Sequence, residues 1–162
     1  MISALKTGRY VRPGTYKRLM HNGTCVMSNT PDEIRDFLGF LRPAHGKILI
    51  NGLGLGVLLK ALLEKPEVTE ITVIEKSEDV IKLVAPTYTS DARVKIINAD
   101  AFSYKPEKKE KWDYVWHDIW NYICVDNLKE MATLHRKYGK KTTTYQASWC
   151  KRECLQAKRK GW

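Results

Sequence analysis

The sequence predicts an α/β domain built on a doubly wound, mostly parallel sheet, and three observations carry that expectation. Residues 48–56 read I-L-I-N-G-L-G-L-G, an apolar strand running into three alternate glycines, and V-L-L-K-A-L-L follows with helical apolar spacing. Strand-like and helix-like segments then alternate along the rest of the chain, as they do where helices cover both faces of a parallel sheet. Ahead of that alternation, Asn22-Gly23 separates two short strand-like runs, a strong signal for a β-hairpin. The 162 residues suit a single core that buries about two thirds of the unfolded surface.

Taken in order, runs over 15–20 and 24–28 form the N-terminal hairpin. Thr30-Pro31-Asp32-Glu33 opens a helix: Thr30 caps it, Pro31 suits its first position, and Glu33 reaches back to complete a capping box. That helix is expected to run to about Leu41, burying Ile34, Phe37, Leu38 and Leu41, and to stop before Pro43. Strands follow over 47–51, 70–75, 94–98, 113–117 and 142–148, with helices at about 57–65, 77–85, 125–138 and 149–158. Gly139 is placed to end the fourth of the helices in a left-handed cap. The chain therefore divides into 1–45, hairpin and capping helix, and 46–162, the domain with the glycine turn. No closing antiparallel pair of strands can be made after the fifth strand of the sheet, so the sheet is expected to be C-terminally shortened.

A formal net charge of +10 favours nucleic acid, acidic protein or another anion over a cationic partner. The cations cluster at Lys105, Lys108, Lys109 and Lys111, at Arg136, Lys137, Lys140 and Lys141, and at Lys151, Arg152, Lys158, Arg159 and Lys160. Such runs form either a solvated surface or a binding face. In loops and at the chain end, without a recognition helix, they are expected to give at most salt-sensitive, sequence-independent nucleic-acid binding. The first twenty residues show no apolar core of a secretory signal. The apolar stretch 48–63 is broken by Asn51, three glycines and Lys60, so no membrane span is expected. The expectation is a cytoplasmic protein with reduced thiols at Cys25, Cys124, Cys150 and Cys154. Cys150 and Cys154 lack a second pair of ligand spacing, so no metal site is expected. Oligomeric state is left open, a homo-oligomer included.

In a parallel sheet, ligands sit beyond the carboxyl ends of the strands, so the residues ending each strand carry the chemistry. Four such ends are polar: Asn51 with the glycines, Glu75, Asn98-Ala99-Asp100, and His117-Asp118. Gly52, Gly54 and Gly56 allow a sharp turn and let a ligand lie against bare backbone. Glu75, about twenty residues on, is spaced to accept from both ribose hydroxyls, and Asp100 to accept from an exocyclic amine such as that of adenine. A nicotinamide fingerprint fails because its third glycine would be Val57, and no phosphate-loop motif is present. Asp118 reads as a base, a cofactor-side group or a helix N-cap. His117 points to the opposite face of its strand and reads as a buried, satisfied histidine. Trp112, Trp116 and Trp120 read as core or as the wall of a substrate pocket.

The G-x-G-x-G spacing with Glu75 and Asp100 resembles the class I S-adenosylmethionine-dependent methyltransferase fold, a Rossmann-like fold. The run H-N-G-T-C-V-M-S-N-T-P-D-E, the segment K-I-L-I-N-G-L-G-L-G-V-L-L-K-A-L-L, the segment V-I-E-K-S-E-D-V-I-K and the strand end at Asp118 are similar to the spermidine synthase branch, the polyamine aminopropyltransferases, over about residues 20 to 120. The resemblance implies cofactor binding by Asn51, Gly52, Gly54, Gly56, Glu75, Lys76, Asp100, Ala101 and Asp118, with Asp118 as the catalytic base. Where that branch carries a second, polyamine-binding acid three residues later, this chain has Asn121. The implied cofactor is S-adenosylmethionine or its decarboxylated form. The implied function is a methyltransferase-like enzyme acting on an unassigned small-molecule or anionic macromolecular acceptor. An aminopropyltransferase is the alternative, as is a non-transferring protein that binds or consumes the cofactor. H-D-I-W-N at the fourth strand end disfavours an amino-group DNA methylase, which carries two prolines and an aromatic there.

Overall fold

A computed structural model describes residues 12–161; the opening of the 1–45 segment and Trp162 lie outside the described residues. Strands β1 (Arg18–His21) and β2 (Thr24–Ser28) pair antiparallel around Asn22 and Gly23, whose φ values of 48° and 77° give the two-residue loop that Asn-Gly favours. β1 is shorter than the run expected over 15–20. Its register shifts between Leu19 and Met20, and Lys17 continues beside Asn29 through that residue's side-chain oxygen at 2.7 Å.

Helix α1 (Pro31–Leu41) starts at Thr30 as expected, but no capping box forms. Glu33 Oε2 accepts the N–H of Ser28 at 2.8 Å, while the Thr30 hydroxyl sits 3.1 Å from that of Ser28. The end of the hairpin supplies the N–H that the cap residue was expected to supply, so buried Glu33 ties hairpin to helix. Its buried stripe is also shifted. Phe37 and Phe40 are buried, with Ile34 and Leu41 only partly so, because the Phe40 ring packs on Tyr114 and Trp116 of the sheet.

The main sheet contains β3 (Gly46–Asn51), β4 (Val68–Glu75), β5 (Val94–Asn98), β6 (Trp112–His117) and β7 (Thr142–Ser148) in the order β5-β4-β3-β6-β7, all parallel. The connections carry α2 (Val57–Leu63), α3 (Glu78–Val84) with a short helical turn at Ala85–Thr87, and α4 (Asn127–Gly139); α5 (Lys151–Arg159) follows β7. From β3 the chain winds outward through β4 to β5, then returns to β3's other side for β6 and β7. This is the doubly wound parallel sheet that the sequence predicts. Ile48, Leu49 and Ile50 of β3 are buried in succession because both faces are covered. Along β6 the sides alternate: Tyr114 and Trp116 meet Phe40, whereas His117 meets His135 and Tyr138 of α4.

Boundaries move where partners decide them. β4 begins at Val68 rather than 70 because Gly46 pairs with Val68 across a register shift, and α4 begins at Asn127 rather than 125. Gly139 keeps a negative φ, and α4 ends through right-handed Lys140, so the left-handed cap is not formed. A left-handed residue occurs instead at Cys150, φ 51°, just before α5. No helix among the described residues is long and apolar enough to cross a membrane.

Candidate functional site

Sheet order reverses between β3 and β6, and there the strand ends open a crevice. Gly52 follows β3 with φ 104°, and a Cβ on it would run into the carbonyl oxygen of Asp118, the residue after β6. The Asp118 N–H donates to Asn51 O at 2.8 Å, so the two strand ends are locked together. Gly54, φ 53°, faces the Met27 sulfur of the hairpin, which accepts the Leu55 N–H at 3.0 Å. Gly56, φ 74°, starts α2 beneath the Tyr88 ring. Positive φ at all three positions is what their lack of Cβ permits.

A cavity of about 610 Å³ lies over these ends. Gly52, Gly54, Glu75, Lys76, Asp100, Ala101 and Asp118 all line it. Asn51 and Gly56 do not. Asn51 is fully buried, and its side-chain nitrogen meets His117 Nδ1 at 2.9 Å on the far side of the sheet. Glu75 accepts the Leu53 N–H on one oxygen and the Ser77 N–H on the other, each at 2.8 Å. The carboxylate at the end of β4 thus holds the glycine turn in place, and each of its oxygens keeps a lone pair for a further donor. Asp100 accepts the Phe102 N–H at 2.8 Å and pairs with Lys76 at 3.3 Å; that N–H, then Lys76, holds its pKa below the usual carboxylate value against burial.

The opposite wall is built by Ile119, Trp120 and Asn121 after β6, by Glu130 of α4, and by Leu19, Met20 and His21 of the hairpin. The Trp120 indole N–H donates to Glu130 Oε2 at 2.9 Å, which fixes both side chains beside Asp118. Trp112, Trp116 and Trp120 are all buried core residues, but of the three Trp120 alone lines the cavity. The sequence reading missed Glu130 and Met27. An acid in the first turn of the helix after β6 is the signal for Glu130, but a helix dipole calls for the same residue.

Behind the site, His117 is fully buried, with Nε2 3.0 Å from Gln146 Oε1. Donation from the Asn51 amide to Nδ1 leaves Nε2–H to donate to Gln146, the neutral imidazole. Burial pushes its pKa from the ordinary 6.5 to about 4. This is the satisfied core histidine that the sequence predicts. Among the described residues no three His, Cys, Asp or Glu side chains are grouped to hold a metal ion.

The parallel order with the glycine turn at the reversal makes up a Rossmann-like methyltransferase fold, here preceded by an antiparallel hairpin. The N-methyltransferase NodS of Bradyrhizobium japonicum shares it, with TM-score 0.53 and 16% identity over 70% of this chain and 58% of that one, in a structure containing S-adenosyl-l-homocysteine. A second NodS structure superposes with TM-score 0.52 at 14% identity, covering 70% of this chain and 64% of that one. In sequence, over 116 residues the chain is 31% identical to polyamine aminopropyltransferase 1 of Streptomyces coelicolor. That alignment takes in 63% of this chain, and the chain spans 22% of that curated relative. No protein-family model matches the chain.

Proposed function

We propose that the chain is a transferase that binds S-adenosylmethionine, or its decarboxylated form, in the cavity between the glycine turn, Glu75, Asp100 and Asp118. The observation that carries this reading is the pair of carboxylates, each oriented by backbone N–H groups, beside a turn whose glycines leave bare backbone. Glu75 retains the capacity to accept two ribose hydroxyls, and Asp100 that to accept an adenine amine. Ile74, Val80 and Phe102, also in the lining, offer apolar contact to a purine. When bound, such a cofactor supplies an alkyl group already activated on a positively charged sulfur. The chain then has to hold donor and acceptor in line and exclude water. Methyl transfer to an unassigned nucleophile is the first reading.

Aminopropyl transfer to an amine is the second, supported by Asp118 and Glu130 on one wall and by the identity to the Streptomyces protein. Two carboxylates suit a cationic acceptor, and on this reading Asp118 accepts its proton. Calorimetric titration with S-adenosylmethionine, its decarboxylated form and methylthioadenosine tests the binding claim and separates the readings by the tail accepted. Absence of heat with all three contradicts it. On the second reading, Asp118→Asn lowers methylthioadenosine release from the decarboxylated cofactor and a diamine by roughly 10²–10⁴, with cofactor affinity nearly intact. Weaker cofactor binding with unchanged turnover assigns Asp118 to the cofactor shell instead.

A further inference from the structure

The cations of this chain are paired unevenly. Fourteen Lys and Arg residues precede Lys105 and fourteen lie from it onward, but eleven carboxylates accompany the first set and seven the second. Every ion pair found among the described residues uses a cation at or before Arg93: Arg35, Lys47, Lys65, Lys76, Lys82 or Arg93. From Lys105 onward, no Lys or Arg among the described residues forms one.

Folding merges two of the basic clusters. Lys141 Nζ donates to the carbonyls of Glu107 at 2.7 Å and Lys108 at 3.0 Å, and the Trp112 N–H donates to Lys141 O at 2.8 Å. Burial lowers the Lys137 ammonium pKa, Asp100 opposes this and neighbouring Lys105 adds to it. Lys105, Lys108, Lys109, Lys111, Arg136 and Lys140 are exposed on the resulting face. Of the carboxylates nearest in sequence, Glu110 accepts Tyr104 O–H and Glu107 N–H, and Asp113 accepts Thr143 O–H and Lys47 N–H; Glu107 stays exposed and offsets one of the loop's four lysine charges. The α4 dipole accounts for cations in its last turn but not for four lysines on the facing loop.

Lys111 directly precedes β6, and Lys140 and Lys141 directly precede β7, so this face lies at the amino ends of the strands. The cavity lies at their carboxyl ends, and Lys137, whose Nζ donates to Phe102 O at 2.5 Å, reaches towards its rim. We propose that the amino-end face docks the phosphodiester backbone of duplex DNA, apart from the cofactor cavity. A duplex is favoured over a single strand because the patch offers no base-stacking platform: Tyr104 is half-buried with its hydroxyl on Glu110, and Trp112 is buried. Lysines contact phosphates as point charges and carry no base readout.

Fluorescence anisotropy of a short labelled DNA duplex with the full chain, over a range of salt, tests this. The log of affinity falls linearly with the log of salt concentration. The variant Lys105→Glu/Lys108→Glu/Lys109→Glu/Lys140→Glu binds at least about tenfold more weakly with a shallower salt slope. Its Gln counterpart shows an intermediate loss, and thermal midpoints stay those of the unaltered chain. Reversal at the end of α5, Lys158→Glu/Arg159→Glu with Lys160→Glu just beyond it, leaves most of the affinity in place. Four results overturn the proposal: no binding at low salt, unchanged affinity in both quadruple variants, a loss carried by α5 instead, or tighter capture of an RNA duplex or of phosphatidylcholine–phosphatidylserine vesicles.

Discussion

The two ends of the parallel sheet treat charge in opposite ways. At the carboxyl ends, Glu75 and Asp100 are each gripped by backbone N–H groups, and Asp118 is covalently adjacent to a strand end locked onto Asn51. At the amino ends, the lysines of the 105–111 loop extend from the surface with no carboxylate within ion-pair distance among the described residues. Backbone donors fix an acceptor to within tenths of an ångström, which suits recognition of one small molecule. Long, unpaired ammonium groups attract a phosphodiester backbone through charge and read none of its sequence. The same sheet thus separates a shaped site from a diffuse field, and substitutions at the two ends should fail differently.

The largest effect is expected at the reversal point. Gly52→Ala places a Cβ against the Asp118 carbonyl at a φ of 104°, and the cost is on the order of 3 kcal/mol or more. Denaturant unfolding reads it; a loss confined to ligand binding, with stability unchanged, would show that the turn can relax. Gly54→Val meets the Met27 sulfur, so its effect falls on hairpin packing as well as on ligand room.

Next comes the histidine beneath the cavity. His117 has a folded pKa of about 4 against an ordinary 6.5, so the unfolded chain binds the extra proton. Stability is therefore full above pH 6.5 and falls as pH drops towards 4, by roughly 3 kcal/mol. Burial lowers the pKa of His135 as well, which adds to the slope with the same sign. Unfolding free energies across this window check it, and a flat profile would place His117 in contact with water. By contrast, charge reversal on the amino-end loop should leave this profile unchanged, since those groups are solvated.

Much of the cleft was legible because its signals are local. Three glycines, an acid ending the next strand and another past the third follow from chain spacing alone, and the cavity does gather Gly52, Gly54, Glu75, Lys76, Asp100, Ala101 and Asp118. What escaped depends on distant partners. Asn51 sits at the right strand end, yet its side chain turns to His117, 66 residues away. Glu33 answers to the hairpin rather than to its own cap, and Gly46, at φ 71°, must lack a Cβ because the Asp113 carboxylate occupies that space. The merging of the two lysine clusters was likewise invisible, since it rests on Lys141 reaching the carbonyls of a loop more than thirty residues earlier.

The central claim is that the carboxyl-end cavity takes an adenosyl cofactor through Glu75. Equilibrium binding of S-adenosylmethionine to the unaltered chain and to Glu75→Ala, under identical conditions, addresses it most directly. Loss of the charged acceptor and of its hold on the Leu53 N–H should weaken binding at least about tenfold, on the order of 2–4 kcal/mol if both ribose bonds disappear. Equal affinity in a folded Glu75→Ala protein would contradict the account.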